Sequence, residues 1–127
     1  MARVSITNSK LIRWLPALII MGVIFLVSGT PSHKLPNFGS METNVEMAGH
    51  LLGYALLSQA FLFGLNNRDW KSLCTAAILA MLYGVSDEIH QSSVPGRVAS
   101  IADLGIDLVG ILLSLLTIRF YERIAEK

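Results

Sequence analysis

The stretch from Tyr83 to Leu116, YGVSDEIHQSSVPGRVASIADLGIDLVGILLSLL, decides how this chain reads. Two apolar runs flank a dense group of acids, a histidine, a glutamine and one arginine. A soluble loop has no need of such flanks, and an inert membrane helix does not tolerate such charges. The apolar runs therefore read as the ends of two membrane helices, and the charged residues between and within them as a candidate site.

Composition supports that reading. The chain has 127 residues, 53% hydrophobic and 15% charged, and its mean hydropathy is +0.57. Soluble domains average roughly 45–50% apolar and 25% charged residues. The length fits one domain, residues 1–127. A formal net charge of +1 supplies no field for nucleic acid, so no nucleic-acid partner is expected. The single cysteine, Cys74, cannot form an internal disulfide, and its place in an apolar run predicts a buried, inert thiol.

Four segments approach the ~20 apolar residues that a helix needs to cross a bilayer. They are expected at about 11–30, 46–65, 71–91 and 99–120. Nothing alternates with period two over barrel-strand lengths. The first segment, WLPALIIMGVIFLVSGTPS (Trp14 to Ser32), contains no Asp, Glu, Lys or Arg. A basic region before it and small residues near Gly29 also outline a secretion signal, whose removal would leave three spans. The fold expected is all-α: a polytopic, antiparallel bundle of four transmembrane helices with a polar cluster at its outer end.

Orientation follows from Lys and Arg placement. Arg3, Lys10, Arg13, Arg68, Lys71, Arg119, Arg123 and Lys127 fall on one side, and Lys34 and Arg97 on the other. The positive-inside rule makes both termini cytoplasmic. Trp14, Trp70 and Tyr121 then stand at cytoplasmic helix ends. NNRD (66–69) is an inner turn, and SSVPGRVAS (92–100), with Pro95-Gly96, is an outer one.

The unusual polar residues gather at three outer helix ends. Glu46, His50 and Tyr54 share one face of the second helix by their i, i+4, i+8 spacing. Asp87, Glu88, His90 and Gln91 are helical neighbours at the end of the third, and Asp103 and Asp107 lie one turn apart at the start of the fourth. Asp107 lies roughly 12 Å into its helix at 1.5 Å per residue, with His50 shallower and Tyr54 near its level. An acid at that depth needs a partner, because intramembrane charge costs on the order of 2.5–3.5 kcal/mol. Arg97 is expected to pair with at least one of Glu88, Asp103 and Asp107, and His50 to join Glu88 and Asp107 in one site. Gly110, Gly105, Gly49 and Gly53 are expected to admit close helix approach.

Plainer readings stand beside these. Glu46 and Glu88 fit interfacial acids, His50 and His90 fit buried hydrogen-bonders, and Asp103 gains from the helix dipole without chemistry.

Taken together, DEIHQSSVPGRVASIADLGIDLVG resembles the VanZ-like membrane proteins, named for a bacterial glycopeptide (teicoplanin) resistance protein. The residues that carry the resemblance are Glu88, Gln91, Pro95-Gly96-Arg97, Asp103, Asp107 and Gly110, with His50 and Tyr54 of HLLGYALL upstream. They span the second to fourth helices, roughly two thirds of the chain. Met47 and Glu46 stand where the family often has a basic residue, and Ser93 where it often has an aromatic. The resemblance implies a small protein of the bacterial cytoplasmic membrane with an outer-face role touching envelope lipids or lipoglycopeptides.

Two functions remain open at this stage. One is binding, without catalysis, of a lipid head group or lipid-linked cell-wall precursor, with Arg97 as the bidentate phosphate donor. The other is a hydrolase or transferase acting on a phospho- or glyco-lipid, with Glu88 as base, a histidine as acid and Asp103 and Asp107 as metal ligands. A coupled transporter would need charges nearer the midplane and more helices. No linear metal-ligand spacing occurs, so neither a metal nor another cofactor is assigned, and the oligomeric state is left open.

Overall fold

The computed structural model describes residues 9–126, and these are helical apart from short connections. A single turn, α1 (Ser9–Ile12), precedes α2 (Leu15–Ser28), and the longer helices are α3 (Glu42–Leu65), α4 (Trp70–Gln91) and α5 (Ile101–Ala125). Among the described residues, four stretches are long and apolar enough to cross a membrane: Lys10–Ser28, Gly39–Leu65, Trp70–Gln91 and Ile101–Ala125. The all-α, four-span architecture expected from the sequence is therefore the one observed. The α3 helix begins at Glu42, one turn before the expected start. Arg3 and Lys127, used for orientation, lie outside the described residues.

Local chemistry sets the helix ends. Pro16 stands in the first turn of α2, where its missing N–H costs nothing. Asp69 caps α4 by accepting the Ser72 N–H at 2.8 Å, and the Ser72 side chain together with this backbone bond holds its exposed carboxyl below the usual range. The α3–α4 turn leaves α3 through Asn66 in the left-handed region, φ 53°. Ser100 caps α5, accepting the Asp103 N–H at 3.3 Å. Gly96 supplies the positive φ, 76°, that turns the α4–α5 link. At that turn Ser32 N donates to the Pro95 carbonyl at 3.4 Å, so the two connections at this end of the bundle touch.

The helices are apolar outside and mixed inside. Leu18, Leu26, Leu52, Leu56, Phe63, Ile78, Leu82, Ile89, Leu113 and Leu116 point outward, a surface suited to lipid tails. Tyr54, Leu57, Ile111, Gln91, Asp107 and Ser58 are the largest fully buried side chains. Cys74 is on the outer surface, contrary to the buried thiol expected. In a helix apolar on all sides, hydrophobicity does not reveal which face turns inward.

The closest seam runs between α3 and α5. A Cβ on Gly110 would strike the Leu51 backbone, with the Leu51 Cα only 3.2 Å away. Gly49 and Gly105 have nothing within 4 Å of that position, and Gly53 only the end of the Ile24 side chain at 3.9 Å. Of the glycines expected to bring helices together, Gly110 is the one at a backbone contact. The Ser58 and Ser114 hydroxyls both donate to the Ala55 carbonyl, at 2.8 and 3.1 Å, and stitch the same seam lower down. The α2 helix joins through the Tyr83 hydroxyl, which donates to the Met21 carbonyl at 2.6 Å. At the opposite end, Arg68 meets Glu122 at 3.0 Å.

Gly110→Leu should force α3 and α5 apart and lower the stability of the detergent-solubilised protein by about 1–3 kcal/mol or more, the usual scale of overpacking. Gly105→Leu, which faces open space, should melt within a degree or two of wild type. Equal melting temperatures for the two variants would show that this seam does not govern the fold.

Candidate functional site

The expected site residues come from all three long helices and the α4–α5 link. Their centre is the pair between His50 Nδ1 and Asp107 Oδ1, 2.9 Å apart. Asp107 has no exposure and His50 is 9% exposed. His50 lies two turns into α3 and Asp107 almost two turns into α5, and the antiparallel packing of these helices at Gly110 brings them level. Neither group could hold its charge or polarity alone at this depth, and the pair supplies each with a partner.

Around the pair, each neighbour is positioned by its own helix. The Tyr54 hydroxyl donates to Asp87 Oδ2 at 3.3 Å, and its ring lies beside Asp107 at Gly84, near the level expected. Gln91 Nε2 donates to Ser28 Oγ at 3.2 Å and to Asp87 Oδ2 at 3.4 Å, which ties α2 into the cluster. Glu88 Oε2 accepts the Ser100 N–H at 2.7 Å, so a carboxylate at the end of α4 anchors the residue that caps α5. Asp103, half-buried in the first turn of α5, completes the group. His50, Glu88 and Asp103 each present a donor atom such that all three lie within 4.8 Å of one another. No linear spacing announces this trio, because each member comes from a different helix. His50, Glu88 and Asp107 do come together as expected.

Two expected members lie elsewhere. Arg97 does not pair with Glu88, Asp103 or Asp107. Its Nη1 stands 3.6 Å from Glu46 Oε1. The turn at Gly96 carries it past the end of α5 to the rim of α3, while Glu88 is already engaged by Ser100. Glu46, read as either an interfacial acid or a site residue, is thus the counter-charge of Arg97. His90 turns to α2, where its ring stacks on Phe25 with centroids 4.4 Å apart and planes 16° apart. It lies too far around α4 to face the His50–Asp107 pair. The sequence offered one signal that the reading missed: Ser28, a polar residue at the end of the most apolar segment, is the group that Gln91 meets.

The cluster opens into a cleft of about 820 Å³. Val23, Ile24 and Val27 of α2 and Val45 of α3 form apolar walls. His50, Tyr54, Asp87, Gln91 and Asp103 supply polar lining, and Arg97 and Glu46 stand at the rim. Five buried polar atoms lack a partner among the described residues: Asp87 Oδ1, Glu88 Oε1, Asp107 Oδ2, His90 Nδ1 and Arg97 Nε. Buried polar groups are nearly always satisfied. Three of the five are carboxylate oxygens in one cluster, and a fourth is a guanidinium nitrogen at its mouth.

A helical bundle with an apolar exterior, a buried acid–imidazole pair and a side cleft lined at one end by acids defines a membrane-type protein with a buried polar cluster. The chain belongs to the VanZ/LLP1 family, whose model matches residues 12–122. No curated protein and no solved structure matches it.

Removing either partner of the central pair strands the other in an apolar interior, a cost of about 3–5 kcal/mol. His50→Ala and Asp107→Ala should therefore be strongly non-additive, with a coupling of at least about 1 kcal/mol in thermal or denaturant unfolding. The exposed Arg68–Glu122 pair, tested in the same way, should couple by less than about 1 kcal/mol. Additive effects at His50 and Asp107 would contradict the pairing.

Proposed function

We propose that this chain binds the phosphorylated head group of a membrane lipid, of the kind carried by lipid-linked cell-wall precursors, in the cleft between α2 and α3. The observation that carries the reading is the cleft's division into apolar walls and a polar end, with the partly unpartnered guanidinium of Arg97 at its rim. A lipid has that division in its own structure. Its tails match Val23, Ile24, Val27 and Val45, and its phosphate matches the fork of Arg97, which donates two parallel hydrogen bonds to such oxygens. Glu46, nearly half-exposed, is the counter-charge that an incoming phosphate would displace. A cleft of this volume falls within the usual range for small-molecule sites.

On this reading the polar end faces the outside of a bacterial cytoplasmic membrane and both termini are cytoplasmic, as the distribution of Lys and Arg supports. The test is impermeant thiol labelling of intact cells in a Cys74→Ser background. A cysteine at Ser93 should label and one at Asn67 should not. The reverse pattern would invert the orientation.

Hydrolysis or group transfer at the same head group is the second reading. It is favoured by Glu88, which stands in a trio with His50 and Asp103 and whose Oε1 has no partner among the described residues. Both readings meet one experiment, in which purified protein in lipid nanodiscs is loaded with a polyprenyl phosphate. Arg97→Gln should weaken retention about tenfold or more, the scale of a lost charge-assisted hydrogen bond. Lys34→Gln, exposed and outside the cleft, should leave retention unchanged. Equal retention by both variants would sink the binding reading, and phosphate release over time would favour the catalytic one.

A further inference from the structure

We propose that His50, Glu88 and Asp103 form a binding site for one divalent transition-metal ion, Mn²⁺ or Zn²⁺, with its open coordination positions facing the cleft. The proposal rests on donor geometry and on an unpartnered buried carboxylate oxygen and requires no lipid, so it stands or falls apart from the binding reading above.

The three donor atoms lie within 4.8 Å of one another. Metal–ligand bonds to imidazole and carboxylate run about 2.0–2.2 Å, so neighbouring donors around one tetrahedral ion stand about 3.3–3.6 Å apart. On the proposal, rotations of the three side chains close the remaining gap. Three protein ligands also leave room for water or a substrate oxygen, as open metal sites do.

The orphaned oxygens supply a second, independent observation. Glu88 is 5% exposed. Its Oε2 takes the Ser100 N–H, while its Oε1 is buried without a partner among the described residues. Glu88, Asp103 and Asp107 stand around the His50 imidazole, and Arg97 is held at the rim by Glu46. Such an excess of carboxylate in a largely dry interior calls for a cation.

The surroundings of His50 match those of a metal ligand. Its Nδ1 is engaged by Asp107, which fixes the ring, and the proposal assigns the ion to Nε2. A carboxylate behind a ligating imidazole is the usual outer partner in such sites, and it raises the basicity of the ligand. Asp107 is therefore a positioning residue rather than a fourth ligand. The donor set also selects the ion. Imidazole disfavours Mg²⁺ and Ca²⁺, which prefer all-oxygen sites, and two carboxylates without thiolate suit Mn²⁺ or Zn²⁺.

The experiment uses the full chain in detergent, with any affinity tag removed and metal stripped by a chelator. Titration with Mn²⁺ or Zn²⁺ should reach one ion per chain. Glu88→Gln and Asp103→Asn, each checked for native helicity and monodispersity, should weaken binding tenfold or more, whereas Glu122→Gln, paired with Arg68 at the opposite end of the bundle, should leave it unchanged. On wild-type protein, electron spin-echo spectroscopy of bound Mn²⁺ should detect one directly coordinated nitrogen. No saturable binding, affinity unchanged in folded Glu88→Gln and Asp103→Asn, a preference for Mg²⁺ or Ca²⁺, or Mn²⁺ bound without nitrogen would each overturn the proposal. The spectroscopic result decides the matter even if both variants fail to fold.

Discussion

The contact between His50 and Asp107 is the constraint on which the rest of the molecule depends. Lipid tails give helices no hydrophobic reason to associate, so a membrane bundle is held by close packing and by polar groups that have no other partner. Both devices meet on the α3–α5 seam. Gly110 lets the α5 backbone approach Leu51, and one turn above it Asp107 reaches His50. The pair depends on the close approach, and the close approach is held in register by the pair. The Ser58, Ser114 and Ala55 contacts continue the seam below. The α4 helix is fixed to it by Tyr54–Asp87 and by Glu88 on the Ser100 backbone.

The four spans were legible because a bilayer sets a length and a polarity that any crossing helix must meet. The grouping of His50, Glu88 and Asp107 was legible for a topological reason: antiparallel helices bring the start of one and the end of the next to the same side. Direction around each helix axis was not legible. One residue is about 100° of rotation, and α4 is apolar enough on every face that nothing marks its inward side. That is why His90 turns out to stack on Phe25 while Gln91 enters the cluster, and why Cys74 lies on the outer surface. The partner of Arg97 was hidden for a related reason, since a turn with positive φ at Gly96 redirects the chain in a way that residue spacing cannot convey.

Charge is unevenly distributed in depth. Among the described residues, the one arginine at this end of the bundle is at the rim with Glu46, and the carboxylates lie beneath it. A phosphate entering the cleft meets favourable charge first and unfavourable charge below. On the proposed reading it would stop at the level of Arg97 unless a cation offset the acids. With a metal ion on His50, Glu88 and Asp103, the lower wall changes from repulsive to attractive, and a phosphate oxygen could complete the ion's coordination. The two proposals thus describe neighbouring depths of one cleft.

The cleft opens where the bundle is least tightly closed. The α2 helix touches α3 and α4 far less extensively than α3 touches α5, and on the side of Gly53 its nearest approach is the tip of Ile24. Its inner face there is Val23, Ile24 and Val27, residues that make no hydrogen bond a ligand would have to break. The rigid seam therefore carries the polar donors, whose geometry must be held, and the looser apolar wall borders the opening, where shape matters more than geometry. A single-tailed or branched lipid could slide between α2 and α3 from the bilayer without disturbing the His50–Asp107 contact. A water-soluble ligand would have to enter past the Arg97–Glu46 pair. On the proposed reading, a closely packed seam beside a less closely packed apolar wall suits a ligand that arrives from the membrane.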